Sequence, residues 1–344
     1  MVAWEGGIFA VKSNNLRFIT AINAICDSPM LQQCIDSLLC SHYDGNIVVL
    51  SPDSTCAHYS QSRVSFFDTM GTTGADDMIL KYLSESGSGY DIIINLHTDV
   101  KVYDEWYDAI EPAWSYLYDG NHVWAVSLPS IIPEHSEQSI HDMLTLDYDT
   151  FCNNYSNRVI HNGANCGSYS FGLGVDFFNT TPTVLYSGRT SPLTSFRVDH
   201  ILDTHSKYQA DRYAFCLREL MMYDGINRHM MSLWSNTKPV IHFLNYDTTY
   251  NNSGKWKEKH TTESYTIFQS LTGYGLDHVI TKWCNIIVTK YHDRILKDVN
   301  SNNFSEMGYL YEDAIAEIKD ISCSNCLAAK FCRASGGATK AYVR

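Results

Sequence analysis

The chain has 344 residues, 44% of them hydrophobic and 18% charged, which excludes wholesale disorder and allows one large α/β domain or two smaller ones. Its 25 basic and 38 acidic residues give a net charge of −13, which argues against general nucleic-acid binding but supplies carboxylates for a divalent-metal site. No apolar run is long enough for a membrane span, and the N-terminus lacks the long apolar core of a signal peptide. The sequence therefore predicts a soluble, cytoplasmic protein.

The first third of the chain alternates strand-like and helix-like segments. Continuous apolar runs indicate strands covered on both faces, and apolar residues at helical spacing after Ser28-Pro29 indicate a helix. The predicted strands are 17–25, 46–50, 63–67, 91–96 and 123–128, and the predicted helices are 30–40, 75–83 and 104–118. Because parallel strands need crossover connections, these βα units predict a mainly parallel, doubly wound α/β sheet.

The rest of the chain is less regular. Residues 129–165 form a polar segment that either is a functional loop or contains short helices. Beyond it we predict a strand at 169–178, an amphipathic helix at 209–222, a late strand at 238–244 and mostly helix from 262 onward. The predicted division is a main domain at 1–260 and a smaller C-terminal helical extension at 261–344.

Polar clusters follow three of the predicted strands, where ligands of open α/β sheets bind. They are Asp53, the run His97-Thr98-Asp99, and the residues after His242. A carboxylate directly beyond a buried strand is well placed to hold Mn²⁺ or Mg²⁺ against a diphosphate, which makes Asp99 a candidate metal ligand. An alternative interpretation is that Asp99 only caps a helix or a turn.

The segment Asn95-Leu-His-Thr-Asp-Val-Lys-Val-Tyr-Asp-Glu-Trp-Tyr-Asp-Ala-Ile110 resembles the surroundings of the metal-binding DXD motif of GT-A-fold, family 2-like inverting glycosyltransferases. The resemblance extends upstream to Thr20-Ala21-Ile22 in the first strand and to Ser51-Pro52-Asp53 after the second. Downstream, Ala210-Asp211 resembles the family's Glu-Asp pair, and His242 resembles its metal-binding histidine. The resemblance implies a Rossmann-like GT-A fold over about residues 16–250 and a metal-dependent glycosyltransferase of the hexosyl-transferring type.

The resemblance also implies roles for individual residues. Asp99 and His242 would bind the metal and Asp211 would be the catalytic base. If Asp211 is not the base, Asp199 or Asp203 is next in line, although the resemblance itself does not point to them. The nucleotide-sugar donor, of the UDP-sugar kind, would contact the remaining residues, which are Thr20, Ala21, Ile22, Asp53, His97 and Thr98. His97 stands where many relatives have Asp or Asn, and it could face the metal or only shape the loop. Asp211 could instead be a first-turn helix aspartate, and His242 a core histidine.

A second group of candidate ligands lies near the C-terminus. The chain has 11 cysteines, an odd number that argues against a disulfide framework. Three of them, Cys323, Cys326 and Cys332, have a C-x₂-C-x₅-C spacing that could hold Zn²⁺, with Cys284, His292 or another residue as the fourth ligand. An iron–sulfur cluster or plain reduced thiols are the alternatives.

Two other functions fit the same residues. A nucleotidyl- or phosphoryl-transferase would share the metal and the diphosphate, although the sequence contains no GxxxxGK[ST] or GxGxxG loop. A non-enzymatic binding protein could use the C-terminal cysteines to hold a structural metal. The sequence leaves the identity of the sugar and of the hydroxyl-bearing acceptor open.

Overall fold

The structure is a computed structural model, and it describes the larger part of the first 243 residues and one later helical segment. The described residues are 16–72, 74–86, 89–114, 117, 123–128, 130–131, 133, 136–155, 160–161, 183–186, 192–208, 217, 220–221, 223–224, 231–235, 238–243 and 266–273. The predicted strand at 169–178, the predicted division at residue 260 and the C-terminal extension beyond residue 273 lie outside them.

The described residues form a mixed α/β fold. The strands are β1 (Phe18–Asn23), β2 (Ile47–Ser51), β3 (Val64–Asp68), β4 (Ile92–His97), β5 (Val100–Lys101), β6 (Val123–Ser127), β7 (Ser130–Ile131), β8 (Ile160–His161), β9 (Thr183–Tyr186), β10 (Leu193–Arg197), β11 (Met231–Ser235) and β12 (Val240–His242). The helices are α1 (Pro29–Cys40), α2 (Ala75–Glu85), α3 (Trp106–Ile110), α4 (Glu137–Thr145), α5 (Tyr148–Asn154) and α6 (Val198–Tyr208). Short 3₁₀ helices cover Ser54–Tyr59 and Glu111–Trp114, and residues 266–272 are helical.

The main sheet has the strand order β3-β2-β1-β4-β10-β6-β11-β9. Strands β1 to β4 are mutually parallel, and β10 runs antiparallel to both of its neighbours, β4 and β6, so that β6 runs in the direction of β4. Strand β11 is parallel to β6, and β9 is antiparallel to β11. The prediction of a mainly parallel α/β sheet is therefore confirmed.

The order of the first four strands creates a topological switch point. From β1 the chain moves outward to β2 and β3, and then returns to place β4 on the other side of β1. A crevice opens beyond the carboxyl ends of strands at such a point, and ligands of open α/β sheets bind there. The carboxyl ends of β1 and β4 meet where Asn23 pairs with His97.

The apolar patterns explain why these strands and the first helix form. Ala21 and Ile22 of β1 and Ile93 of β4 are fully buried, as continuous apolar runs predict for strands covered on both faces. Helix α1 begins where Ser28 caps it, because the Ser28 hydroxyl accepts a hydrogen bond of 3.2 Å from the Leu31 amide, and Pro29 occupies the first turn. This helix buries its apolar face in the core.

A small second sheet, in the order β5-β12-β7-β8, lies beyond the end of β4. The chain leaves β4 through Thr98 and Asp99 and at once forms β5, which pairs antiparallel with β12 so that His242 lies opposite Val100. The sequence predicts a strand at 238–244 but not its partner. This pairing brings a distant part of the chain to the edge of the main sheet.

The structure corrects one predicted helix and confirms short helices, one of the two alternatives for the polar segment. The helix predicted at 104–118 is α-helical over Trp106–Ile110 and then tightens to a 3₁₀ helix over Glu111–Trp114, in which Pro112 cannot supply an amide hydrogen. Beyond it, the described residue Leu117 is again α-helical. The polar segment at 129–165 contains α4 and α5, which begin at Ser136 and Asp147 through side-chain capping hydrogen bonds. Strands β10 and β11 and helix α6 were not predicted.

Candidate metal site at the carboxyl edge of the sheet

Three side chains that can bind a metal converge at the switch point. His97 ends β4, Asp99 follows that strand, and His242 ends β12. Each residue offers one atom that can bind a metal, and these three atoms all lie within 4.8 Å of one another. Asp99 and His242 are only 5% and 4% exposed. The sequence predicted Asp99 and His242 as ligands of one metal, and the structure brings them together with His97.

The contact between His242 and Asp99 has the geometry of two ligands that face one ion. His242 Nε2 lies 3.2 Å from Asp99 Oδ1, yet within the described part of the chain this buried nitrogen has no partner in hydrogen-bond geometry. When two ligand atoms each lie about 2.1 Å from the same ion and the ligand–ion–ligand angle is a right angle, the two atoms are about 3.0 Å apart. The residues present therefore fit a divalent cation, and a buried polar atom without a partner would otherwise be costly.

Main-chain hydrogen bonds hold the three residues in place. The Phe243 amide donates to the Asp99 carbonyl over 2.8 Å, which ties the end of β12 to the turn after β4. The His97 amide donates to the Pro192 carbonyl over 3.0 Å, just before β10, and the Cys34 thiol of α1 lies 3.6 Å from the His97 carbonyl. The candidate site is thus built on sheet edges rather than on a free loop, which favours a fixed ligand geometry.

Lys101 of β5 stabilises the chain next to the candidate site. Its Nζ donates to the carbonyls of Met143 and Leu146 at the C-terminal end of α4, a position that favours a cation. Burial lowers the pKa of Lys101, while the Asp147 charge acts in the opposite direction. This lysine attaches α4 to the strand that leads away from Asp99.

A pair of buried amides lies beside the candidate metal ligands. Asn23 of β1 pairs with His97 of β4. Asn95 is two residues before His97 in β4, so both side chains lie on the same face of the sheet. The Asn23 amide donates to Asn95 Oδ1, but among the described residues no partner reaches Asn23 Oδ1 or Asn95 Nδ2. Each amide depends on the other for its one side-chain hydrogen bond.

This dependence predicts strong coupling between the two asparagines. Asn23→Leu alone should lower the free energy of unfolding by about 1–3 kcal/mol, because it leaves the buried Asn95 amide unpaired. The double variant Asn23→Leu/Asn95→Leu should recover to within about 1 kcal/mol of the unsubstituted protein, since an apolar pair of similar shape replaces both partners. Urea unfolding of the four proteins measures the coupling, and strictly additive losses would show that the amides act independently.

The predicted donor-binding residues occupy different environments. Thr20, Ala21 and Ile22 lie inside β1 and are fully buried, and the Thr20 hydroxyl bonds to that of Tyr43 at 2.6 Å. Thr98 is buried beside the candidate metal ligands. The residue of β1 that reaches the carboxyl edge is Asn23, so a donor contact for the other three remains a prediction.

Asp53 follows β2 at the same edge and is exposed. Its Oδ1 accepts a hydrogen bond of 2.9 Å from the Thr55 amide, so Asp53 caps the 3₁₀ helix at Ser54–Tyr59. Hydrogen bonds from the Thr55 hydroxyl and amide hold the pKa of Asp53 below its usual range. The carboxylate is thus ionised near neutral pH and available to a ligand from solvent.

Asp211, the predicted base, and the cysteines Cys323, Cys326 and Cys332 lie outside the described residues. The structure does argue against Asp199, one of the two alternative candidates for the catalytic base. Asp199 follows β10, whose last residue Arg197 pairs with Ile92 at the beginning of β4, and Arg197 donates to the Asp199 carboxylate over 2.9 Å. Asp199 therefore lies at the opposite edge of the sheet from Asp99.

Asn23 and Asn95 are the site residues that the sequence analysis missed. The sequence did contain an indication of them, because an amide side chain inside an otherwise continuous apolar strand is buried and needs a hydrogen-bond partner. What could not be read was which amide would partner which. That pairing depends on the register between β1 and β4.

Comparison with known proteins gives a fold-level likeness only. No protein-family profile and no curated protein sequence matches the chain. Among solved structures, the chain is similar to the mannosyltransferase PcManGT from Pyrobaculum calidifontis in complex with GDP-Man and Mn²⁺, at 10% identity and a TM-score of 0.41, over 93% of this chain and 79% of that one.

A second similar structure is glucosyl-3-phosphoglycerate synthase from Mycobacterium tuberculosis in complex with Mn²⁺, uridine-diphosphate-glucose and glycerol 3-phosphate. It has 12% identity and a TM-score of 0.41, over 79% of this chain and 87% of that one. Both structures have a TM-score below 0.5, so they indicate a likeness in fold and carry no conclusion about the family or activity of this chain. What the fold and the site define is an α/β protein with a His–Asp–His cluster at a switch point, in which Asp99 and His242 are buried and His97 is half-buried. In the part of the chain that the structure describes, every helix is too short or too polar to cross a membrane.

Proposed function

We propose that the protein is a metal-dependent inverting glycosyltransferase that moves a sugar from a nucleotide-diphosphate sugar to an acceptor hydroxyl. The observation that carries the proposal is the convergence of His97, Asp99 and His242 beyond the switch point of a mainly parallel sheet. The sequence resemblance around Asn95–Ile110 supports the same class independently of that geometry.

The cluster fits the main electrostatic demand of sugar transfer from a diphosphate. Negative charge builds on the departing diphosphate, and a divalent cation neutralises it as a Lewis acid. Asp99 and His242 would hold that cation at the end of β4. Asp53, exposed and ionised at the end of β2, would accept hydrogen bonds from the nucleotide base, as the resemblance implies.

The chemical step needs a second carboxylate. In the proposed reaction the acceptor oxygen attacks the anomeric carbon of the sugar as its proton moves to the Asp211 carboxylate. The bond from the anomeric carbon to the diphosphate oxygen breaks, and its electron pair leaves with the nucleoside diphosphate. Attack from the face opposite the leaving group inverts the anomeric configuration.

The proposed reaction does not use the C-terminal cysteines. A Zn²⁺ site at Cys323, Cys326 and Cys332, within a separate extension at 261–344, remains a proposal from their spacing. Elemental analysis of the purified protein would detect it.

The function is tested by incubating the full chain with UDP-, GDP- and TDP-sugars and Mn²⁺ while following slow donor hydrolysis. Metal-dependent release of free sugar and nucleoside diphosphate from one donor would support the proposal. Release of nucleoside monophosphate and sugar phosphate would instead indicate phosphoryl or nucleotidyl transfer. Absence of both binding and cleavage across the panel would contradict an enzymatic role on such donors.

A further inference from the structure

Helices α4 and α5 form a layer on one face of the small sheet. A second, smaller core joins this layer to β12 and to α1. The buried members of that core are Met30, Met143, Phe151, Ile241 and Phe243. Successive side chains of a strand point to opposite faces, so that Ile241 packs under the two helices while Val240 packs into the main core. The layer therefore has a core of its own.

Polar contacts also attach this layer to the small sheet and to the segment before β12. Lys101 of β5 donates to two carbonyls at the C-terminal end of α4, and the Tyr148 hydroxyl of α5 donates to the Pro239 carbonyl. The ammonium of Lys238 lies 3.5 Å from the Asp149 carboxylate, but this ion pair is exposed and contributes little. All of these groups lie outside the main sheet, so breaking the contacts leaves the hydrogen bonds of that sheet intact.

The seam between α1 and α4 contains a buried amide without a partner. Helix α1 packs against α4, and Met30, Gln33 and Ser37 share one side of α1 by helical spacing. Met30 belongs to the second core, and the Ser37 hydroxyl accepts a hydrogen bond of 3.3 Å from the Val102 amide, so this side faces the small sheet and α4. Gln33 is only 8% exposed, yet within the described part of the chain neither Oε1 nor Nε2 of its side chain has a hydrogen-bond partner.

We propose that α4 and α5 form a cap that opens and closes over the outer face of the small sheet while the main sheet stays folded. Burial of the Gln33 amide without partners disfavours the closed state, because opening lets water bind both of its polar atoms. A small core and an unsatisfied polar group are features of a segment that opens locally.

The cap lies behind the strand that carries His242. Ile241 and His242 are successive residues of β12, so their side chains point to opposite faces, and the cap covers Ile241. Opening would uncover the face of β12 that is turned away from the candidate site. The inference is independent of the proposed function.

Hydrogen–deuterium exchange of the full-length protein, followed by mass spectrometry of its peptides, tests whether the cap opens by itself. The amides of α4 and α5 should exchange together, at least about a hundredfold faster than those of β1 and β4. Equal protection of the two helices and the main strands would overturn the proposal, because the helices would then open only when the whole protein unfolds.

Substitution of Gln33 distinguishes opening of the cap from fraying of two short helices. Gln33→Met keeps the length of the side chain and removes the amide, so the exchange of α4 and α5 should slow by about tenfold. The matched control is Gln32→Met, the same change at the next position of α1. Gln32 is exposed and donates to the Asp36 carboxylate over 2.8 Å, so this variant should leave the exchange of α4 and α5 unchanged.

A third variant works in the opposite direction. Gln33→Glu places a charge in the seam and should speed the exchange of α4 and α5 by at least about tenfold, while β1 and β4 remain the most protected strands. If Gln33→Met and Gln32→Met have equal effects, or if neither Gln33 variant changes the exchange of the two helices, the seam does not control them and the proposal is wrong.

Discussion

Replacing Asp99 by alanine is expected to weaken Mn²⁺ binding by more than about a hundredfold and to abolish metal-dependent binding of the donor nucleotide. Asp99 supplies the only negative charge of the described cluster, and its Oδ1 lies 3.2 Å from His242 Nε2. Changes to partners one step outside a metal's ligands already cost about 10–100-fold, so the loss of the charged ligand should cost more. Calorimetric titration with Mn²⁺, alone and with nucleoside diphosphate, measures both effects.

The matched control lies at the other end of the same strand. Asp91 immediately precedes β4 and pairs with Arg17, so Asp91→Ala removes a carboxylate from the opposite edge of the sheet. That variant should bind Mn²⁺ as the unsubstituted protein does. If Asp99→Ala folds and keeps its affinity for Mn²⁺ and nucleotide, Asp99 is a structural turn residue and the metal centre lies elsewhere.

Asp211→Asn should lower the turnover of sugar transfer by about 10²–10⁴-fold, the usual effect of removing a general base. The substitution keeps the shape of the side chain and removes its ability to accept the acceptor's proton. Binding of Mn²⁺ and donor should be preserved, because the proposed role of Asp211 begins only when the acceptor reacts. Steady-state transfer rates and donor titrations on the same preparation separate the two effects.

Asp199→Asn is the control for that experiment. Asp199 lies by the amino end of β4 and forms an ion pair with Arg197, so its loss should affect folding stability more than turnover. Near-normal transfer by Asp211→Asn would show that Asp211 is only a helix cap, and exposed Asp203 would become the next candidate. A large loss of turnover in well-folded Asp199→Asn would mean that the reaction does not occur at the Asp99 edge.

The elements that were predicted correctly are those whose signal is local. The apolar run before His97 indicates a strand buried on both faces, and Ser28-Pro29 followed by apolar residues at helical spacing indicates α1. Such signals depend only on neighbours in sequence. They also place Asp53 and Asp99 directly after strands, which is where the structure has them.

The elements that were missed lack a local signal. Strands β5 and β7 have two residues each, too few to show a period, and they form because main-chain groups find partners far away in the chain. Strand β10 is Leu193–Arg197, with polar Thr194 and Ser195 that are nonetheless fully buried. The Ser195 hydroxyl accepts a hydrogen bond from Trp114, which no periodicity could reveal.

The sequence by itself determined the succession of strands and helices in the first third of the chain and the location of Asp99 at a strand end. Those features follow from hydrophobic period, capping and the need of parallel strands for crossovers. The tertiary structure alone decided that β12 pairs with β5, which sets His242 against Asp99 and beside His97. It also decided that Asn23 meets Asn95, because strand register is a property of two segments together, and neither segment encodes it alone.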